Sequence, residues 1–216
     1  MEKQPNKIII ADDHAVVRTG LQLILDETTD LSIVDEARNG QELLDKLNIN
    51  TYDMVILDIA MPGKDALDVL KEIKTTWPQL PVAIFSMNSD HVYAVRMLSN
   101  GASAFINKET KPAQIIEILR VVLKGKKYIS PQQAEIMAEN VSSPIKPIDA
   151  THKLLTDREF QIFCLLSSGV SKAEIAEKLE ISINTLSNHR NSILKKMKLS
   201  ANSDLTRYAI QTGITQ

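Results

Sequence analysis

With 216 residues, 44% of them hydrophobic and 24% charged, the chain has room for one large domain or two small ones and enough apolar mass to bury a core. Its one cysteine, Cys164, excludes a disulfide framework, no apolar run approaches the ~18 residues of a membrane span, and residues 1–7 lack the apolar stretch of a signal peptide, so a cytoplasmic protein with no membrane partner is expected. The net charge of −2 divides unevenly: residues 1–125 hold 13 Lys and Arg against 18 Asp and Glu, residues 126–149 three of each, and residues 150–216 nine against six, which predicts two modules with different partners and makes nucleic acid a candidate for the second.

Five short apolar runs read as strands: Lys7-Ile8-Ile9-Ile10-Ala11, Ser32-Ile33-Val34-Asp35-Glu36-Ala37, Met54-Val55-Ile56-Leu57, Val82-Ala83-Ile84-Phe85 and Ala104-Phe105-Ile106. Three are continuously apolar, as in a sheet covered by helices on both faces. Helical patterns follow them over about 14–27, 40–49, 65–76, 90–99 and 112–124. Val16, Leu21, Leu23 and Ile24 supply the inner face of the first, and Ile115, Ile116, Leu119, Val122 and Leu123 that of the last. Five βα repeats predict a doubly wound, five-stranded parallel sheet, an α/β domain whose functional loops lie at the carboxyl ends of the strands.

A linker is expected over residues 126–149, where Pro131, Pro144, Pro147 and Ser142-Ser143 fall, with a short helix within it over 132–140. The remainder, 150–216, reads as all-α with four helices. Thr156-x-x-Glu159 is a capping box for a helix that stops at Gly169, and Ser171-x-x-Glu174 is another for a short helix through Leu179. Ser182 is the expected N-cap of a longer helix to about residue 198, and a last helix follows Asn202.

The chemistry of the first module sits at its strand ends. Asp12 and Asp13 follow the first strand, Asp58 the third, Ser86 ends the fourth and Lys108 follows the fifth. In a sheet ordered 2-1-3-4-5 the first and third strands are neighbours at the switch point, so three carboxylates crowd one spot and require a cation or proton to neutralise them. Mg²⁺ suits this arrangement, because it binds through one or two carboxylates while keeping water and phosphate oxygens in its shell. Asp58 can then act as a nucleophile that forms an aspartyl phosphate, with Lys108 neutralising developing charge and the Ser86 hydroxyl holding a phosphoryl oxygen. Singly, each residue has an ordinary reading: Asp13 as an N-cap, Lys108 as a solvated cation. Together, at the same end of the strands, they define a site.

Asp12-Asp13-His14, Val55-Ile56-Leu57-Asp58-Ile59-Ala60-Met61-Pro62-Gly63, Ser86-Met87 and Gly101-Ala102-Ser103-Ala104-Phe105-Ile106-Asn107-Lys108 make the first 125 residues resemble the flavodoxin-like receiver domain of a two-component response regulator. The resemblance implies that Asp58 accepts phosphate from a sensor histidine kinase. It also implies that Asp13 and Asp58, with the Ala60 backbone carbonyl and Asp12 through water, hold Mg²⁺. Phe105 occupies the position of the aromatic switch residue that turns inward when Ser86 moves toward the phosphoryl group; an ordinary core phenylalanine is the other reading. Asp65-Ala66 stands where the family usually has Asp-Gly, for which a local effect on the loop is expected.

The second module carries another resemblance. Leu155-Thr156-Asp157-Arg158-Glu159, Ile175-Ala176-Glu177-Lys178-Leu179 and Ile181-Ser182-Ile183-Asn184-Thr185-Leu186-Ser187-Asn188-His189-Arg190 look like the LuxR-type helix-turn-helix of NarL/FixJ regulators, over residues 150–216. A short helix, a turn at Glu180-Ile181 and a longer helix are the pattern of a motif whose second helix enters the DNA major groove. On that helix Ile183, Leu186, Ile193, Leu194 and Met197 form an apolar stripe toward the domain. Asn184, Ser187, Asn188 and Asn191 form another face, with Lys195 further along, read either as a solvated face or as a DNA-contacting one. With Thr185, Arg190 and a phosphate contact from Lys172, these are the candidate DNA-binding residues. Thr185-Leu186-Ser187 replaces the Thr-Val-Lys common in relatives, so one basic contact is missing and base preference does not transfer from them. His189 reads as packed or phosphate-bound and Cys164 as a core residue.

The resemblance implies a regulator in which phosphate on Asp58 favours dimers and frees the recognition helix, so that paired half-sites are bound and transcription is controlled. Leu205, Tyr208, Ala209 and Ile210 on the last helix read as a dimer surface or as a core stripe. A phosphohydrolase built on the same pocket is disfavoured, since the usual second acid two residues beyond the nucleophile is Ala60 here. The only catalysis expected is self-phosphotransfer and slow autodephosphorylation. A constitutive regulator with an unused receiver is disfavoured by the intact acidic set.

Overall fold

The structure is a computed structural model that describes residues 4–87, 91–142, 151–179, 181–212 and 214. Its contacts cluster into two compact units, one from Met1–Ser89 and Arg96–Ser130, the other from Asp90–Val95 and Pro131–Gln216.

Up to residue 123 the chain alternates β1 (Asn6–Ala11), α1 (Ala15–Asp26), β2 (Leu31–Ala37), α2 (Gly40–Ile49), β3 (Met54–Leu57), α3 (Ala66–Thr76), β4 (Val82–Ser86), α4 (His91–Ser99), β5 (Ala104–Asn107) and α5 (Pro112–Leu123). The strands form one parallel sheet in the order β2-β1-β3-β4-β5, as the sequence predicts. Side chains alternate along a strand, and Ile8, Ile10, Met54, Ile56, Ala83, Phe85, Ala104 and Ile106 share one face with Leu21 and Leu25 of α1 and Ile115, Ile118, Leu119 and Val122 of α5. The alternate residues Ile9, Val55, Leu57, Ile84 and Phe105 are buried on the opposite face, which right-handed crossovers leave to the remaining helices.

The inner face of α1 is not the one the sequence suggested. Leu21 is buried as expected and Ile24 partly so, but Val16 and Leu23 are 84% and 63% exposed. The buried positions are Arg18, Leu21 and Leu25, at i, i+3 and i+7. A polar residue occupies the inward stripe, so a reading that follows hydrophobicity alone rotates the helix outward. In α5, Ile115, Leu119 and Val122 are buried as read, Ile116 and Leu123 pack at its margin, and Ile118 joins the core.

The second unit comprises α6 (Pro131–Ser142), a short 3₁₀ turn (Thr151–Leu154), α7 (Asp157–Ser167), α8 (Lys172–Lys178), α9 (Ile183–Met197) and α10 (Asn202–Gln211). The helix expected over 132–140 is α6, while Ser143, Pro144 and Pro147 lie outside the described residues, as does Glu180 of the expected turn. The start signals are realised: Thr156, Ser171 and Ser182 cap α7, α8 and α9 by accepting from the backbone N–H of Glu159, Glu174 and Thr185, and Gly169 takes φ 79° after α7. Phe160, Ile162, Phe163, Ile175, Leu179, Leu186, Ile193, Leu194, Met197 and Leu205 form the core, with Cys164 buried beside them.

On α9, Leu186, Ile193, Leu194 and Met197 are buried as read, but Ile183 is 56% exposed. Its angle matches the stripe, yet it sits a turn ahead of Leu186, the first position the domain covers. On α10, Leu205, Tyr208 and Ala209 are buried within the unit and Ile210 is exposed, so for the first three the core reading holds.

Candidate functional site

The sheet delivers the acidic residues to one place by backbone hydrogen bonding that runs one step past the strands. Ala11 pairs with Leu57, and the next amide, Asp58 N–H, donates to Ala11 O at 2.8 Å. Ser86 pairs with Asn107, and Lys108 N–H donates to Ser86 O at 2.8 Å. Asp12 N–H donates to Ala37 O at 3.0 Å. Asp12, Asp58, Ser86 and Lys108 therefore share the carboxyl edge of adjacent strands.

There the Lys108 ammonium lies 2.6 Å from Asp12 Oδ2 and 3.1 Å from Asp58 Oδ2, with all three side chains at most 5% exposed. It also sits 5.9 Å from the Phe85 ring centroid. Asp13 lies at the rim, its carboxylate 2.8 Å from His14 Nδ1, while His14 N–H donates to Asp12 Oδ1 at 2.8 Å. Ligand atoms of Asp12, Asp13, His14 and Asp58 lie within 4.8 Å of one another. Burial pushes the Asp58 carboxyl above the ordinary carboxylate range and nearby Asp12 adds to this, while Lys108 opposes it. One ammonium, shared by Asp12 and Asp58, offsets only one of three carboxylates. Oxygen donors with surplus negative charge fit a hard divalent cation.

Ser86 is buried at the end of β4, Phe105 is buried in β5, and Ala60 is half-buried in the loop after β3. Asp65, 4% exposed, caps α3 by accepting from Leu67 N–H at 2.8 Å, and Ala66 begins the helix, buried. Alanine in place of the family's glycine is thus taken up as a regular first helical residue.

Sequence reasoning missed Arg18. Its guanidinium is buried, donates through Nη1 to the Asp12 carbonyl at 2.8 Å and pairs through Nε with Glu36 at 2.5 Å, pinning the loop that carries Asp12 and Asp13. A cation between apolar neighbours at helical spacing was the available signal. Among the described residues this acidic group is the one cluster suited to a metal.

In the second unit, Lys172, Asn184, Thr185, Asn188, Asn191 and Lys195 are exposed, while Ser187 and Arg190 are half-buried. Asn184, Asn188, Asn191 and Lys195 follow one another at i, i+4, i+7 and i+11, a single stripe along α9. Arg190 is held by Asn202 Oδ1 at 2.6 Å and Thr185 Oγ1 by Ser182 Oγ at 2.8 Å, so part of each polar capacity is used within the domain. His189 is half-buried on the flank.

A parallel sheet with a buried acidic cluster at its carboxyl edge, followed by a helix-turn-helix, is the architecture of a regulator with a receiver and a DNA-binding module. Residues 8–120 match the response regulator receiver domain and residues 153–209 the bacterial regulatory proteins of the luxR family. The chain is 35% identical over 210 residues to the oxygen regulatory protein NreC of Staphylococcus carnosus (strain TM300), covering 95% of this chain and 97% of that one. It is 33% identical to the NreC of Staphylococcus epidermidis (strain ATCC 12228 / FDA PCI 1200), covering 97% and 99%. Among solved structures, the RcsB response regulator of Salmonella enterica serovar Typhimurium, bound to promoter rprA with the phosphomimetic BeF3-, aligns with TM-score 0.65 and 25% identity over 94% of this chain and 98% of that one. An RcsB–DNA complex aligns with TM-score 0.59 and 26% identity over 98% and 100%. The chain belongs to the two-component response regulators of the NarL/FixJ type, with a receiver domain and a LuxR-type helix-turn-helix.

Proposed function

We propose that residues 1–125 form a phosphoacceptor domain, residues 126–149 a linker and residues 150–216 the DNA-binding output, and that a phosphoryl group on Asp58 controls the last. Supporting this most directly is the buried Asp58 carboxylate held by Lys108 at the carboxyl edge of the sheet. An Asp58 oxygen attacks phosphorus of a phosphohistidine on a sensor kinase; the new O–P bond forms as the P–N bond breaks, and the imidazole leaves with a proton from solvent. Asp12, Asp13, Asp58 and the Ala60 carbonyl are the residues that would hold Mg²⁺, which when bound neutralises charge on the phosphoryl oxygens. Lys108 stabilises that charge from the protein side and Ser86 donates its hydroxyl to a phosphoryl oxygen. Ser86 and Phe105 couple the site to the receiver's two states.

The exposed face of α9 enters the major groove, with Asn184, Ser187, Asn188 and Asn191 toward base edges and Lys172, Thr185, Arg190 and Lys195 toward phosphates. Phosphorylated copies pair as homodimers on duplex DNA, in the cytoplasm, to regulate transcription. The relatives named for oxygen regulation make a regulatory role of this kind the natural one.

The test is intact mass after incubation with Mg²⁺ and a small-molecule phosphodonor. One phosphoryl group is expected on the wild type and none on Asp58→Asn. No gain on the wild type, under conditions that label a control receiver, would reject the reading.

A further inference from the structure

The helix-turn-helix contains a buried carboxylate that a DNA-contacting role does not explain. Glu159, third residue of α7, is 4% exposed. Its Oε2 accepts from Thr156 N–H at 2.7 Å, which completes the capping box. Two further bonds reach α9: Ser192 Oγ donates to Glu159 Oε1 at 2.6 Å and Lys196 Nζ to Oε2 at 2.6 Å. Ser192 and Lys196 are spaced i, i+4, on the flank of α9 between the stripe of Asn184, Asn188, Asn191 and Lys195 and the buried face of Ile193 and Met197.

We propose that Glu159 is a positioning residue for the recognition helix: through Ser192 and Lys196 it fixes the rotation and axial seating of α9, and it holds the Lys196 charge within the protein instead of on DNA phosphate. The proposal rests on the DNA-binding reading above. An apolar stripe alone tolerates small rotations, because dispersion contacts are individually weak and non-directional. Two hydrogen bonds one turn apart on a single buried carboxylate do not, since any turn of α9 strands a buried charge. A slip of one residue would carry the asparagine stripe through about 100° and off the base edges. The depressed Glu159 carboxyl, brought to about 2 by Lys196 and Ser192 against its burial, shows that these groups favour the ionised form. Neighbouring cations thereby have opposite duties: Lys195 is exposed and available to phosphate, whereas Lys196, half-buried, is paired with Glu159.

The experiment uses full-length protein with phosphodonor and Mg²⁺, and two duplexes: one enriched from a random-sequence pool by the wild type, one of unrelated sequence. Affinity is measured across salt concentrations. Lys195→Gln is expected to lower the slope of log affinity against log salt by about 0.9, the signature of one lost phosphate contact. Lys196→Gln is expected to leave the slope at its wild-type value and the unrelated duplex unchanged, and both Lys196→Gln and Glu159→Gln to lower affinity for the enriched duplex about tenfold or more. The double variant should bind the enriched duplex no worse than the weaker single one. If Glu159→Gln does not fold, Ser192→Ala, which strands no charge, must still lower enriched-duplex affinity with the slope intact. A lower slope for Lys196→Gln, unaltered specific affinity for Ser192→Ala, or additive losses in the double variant would overturn the proposal. If the wild type enriches no duplex, the DNA-binding reading falls and takes the proposal with it.

Discussion

Lys108 is the residue on which the acidic pocket depends, because its ammonium is the cation placed between Asp12 and Asp58. Replacing it with Met leaves two buried carboxylates facing each other, and breaking a buried ion pair from one side costs roughly 3–5 kcal/mol. Lys108→Met should therefore unfold at lower denaturant than the wild type, and Mg²⁺ should restore more of its stability than it adds to the wild type. Equal Mg²⁺ responses in the two proteins would contradict the pocket as described. Glu159 offers a pH test. Its carboxyl, ordinarily near 4.5, is lowered to about 2 by Lys196, Ser192 and the Thr156 amide. A depressed carboxyl stabilises the fold above its unfolded value and loses that contribution as pH falls toward the folded one, so the window is roughly pH 4.5 to 2 and the full effect about 3 kcal/mol. Chemical denaturation of wild type and Glu159→Gln should show a stability difference at pH 6 that narrows steadily through this window.

At the level of elements, what the sequence made legible is what rests on local rules. The strands follow from continuous apolar runs, and the starts of α7, α8 and α9 from Thr156, Ser171 and Ser182, whose caps depend on residues three positions away. What it concealed depends on tertiary contact. Arg18 lies inward because the Asp12 carbonyl and Glu36 await it, which no periodicity shows, and Val16 and Leu23 are displaced outward as a result. Ile183 lies outward because the domain does not extend over the first turn of α9. Of the acidic site, Asp12, Asp58, Ser86 and Lys108 were readable from strand ends, whereas the Lys108 bridge to both carboxylates required the register. The end of α9 supplies a prediction: Lys198 caps it with φ 57° and ψ 40°, the left-handed region that costs a non-glycine residue roughly 1 kcal/mol. Lys198→Gly should raise stability by about 0.5–1 kcal/mol, after a few tenths are lost with the cation at the helix carboxyl end. Thermal unfolding checks this, and a decrease would show that the lysine side chain is held by the fold.

For the whole molecule, charge divides between an acidic segment over residues 1–125 and a basic one over residues 150–216, a pattern suited to modules with different partners. No helix among the described residues is long and apolar enough to cross a membrane. The proposed control links the units: a phosphoryl group on Asp58 shifts the receiver between two states, and moving such an equilibrium from mostly off to mostly on takes about 5 kcal/mol of differential stabilisation. The most direct test is duplex binding by full-length protein with Mg²⁺, with and without phosphodonor, for wild type and Asp58→Asn. Wild-type affinity for an enriched duplex should rise at least tenfold with phosphodonor, while Asp58→Asn stays at the untreated value. Equal binding by wild type in both conditions, with the phosphoryl group confirmed on Asp58 by mass, would contradict the account.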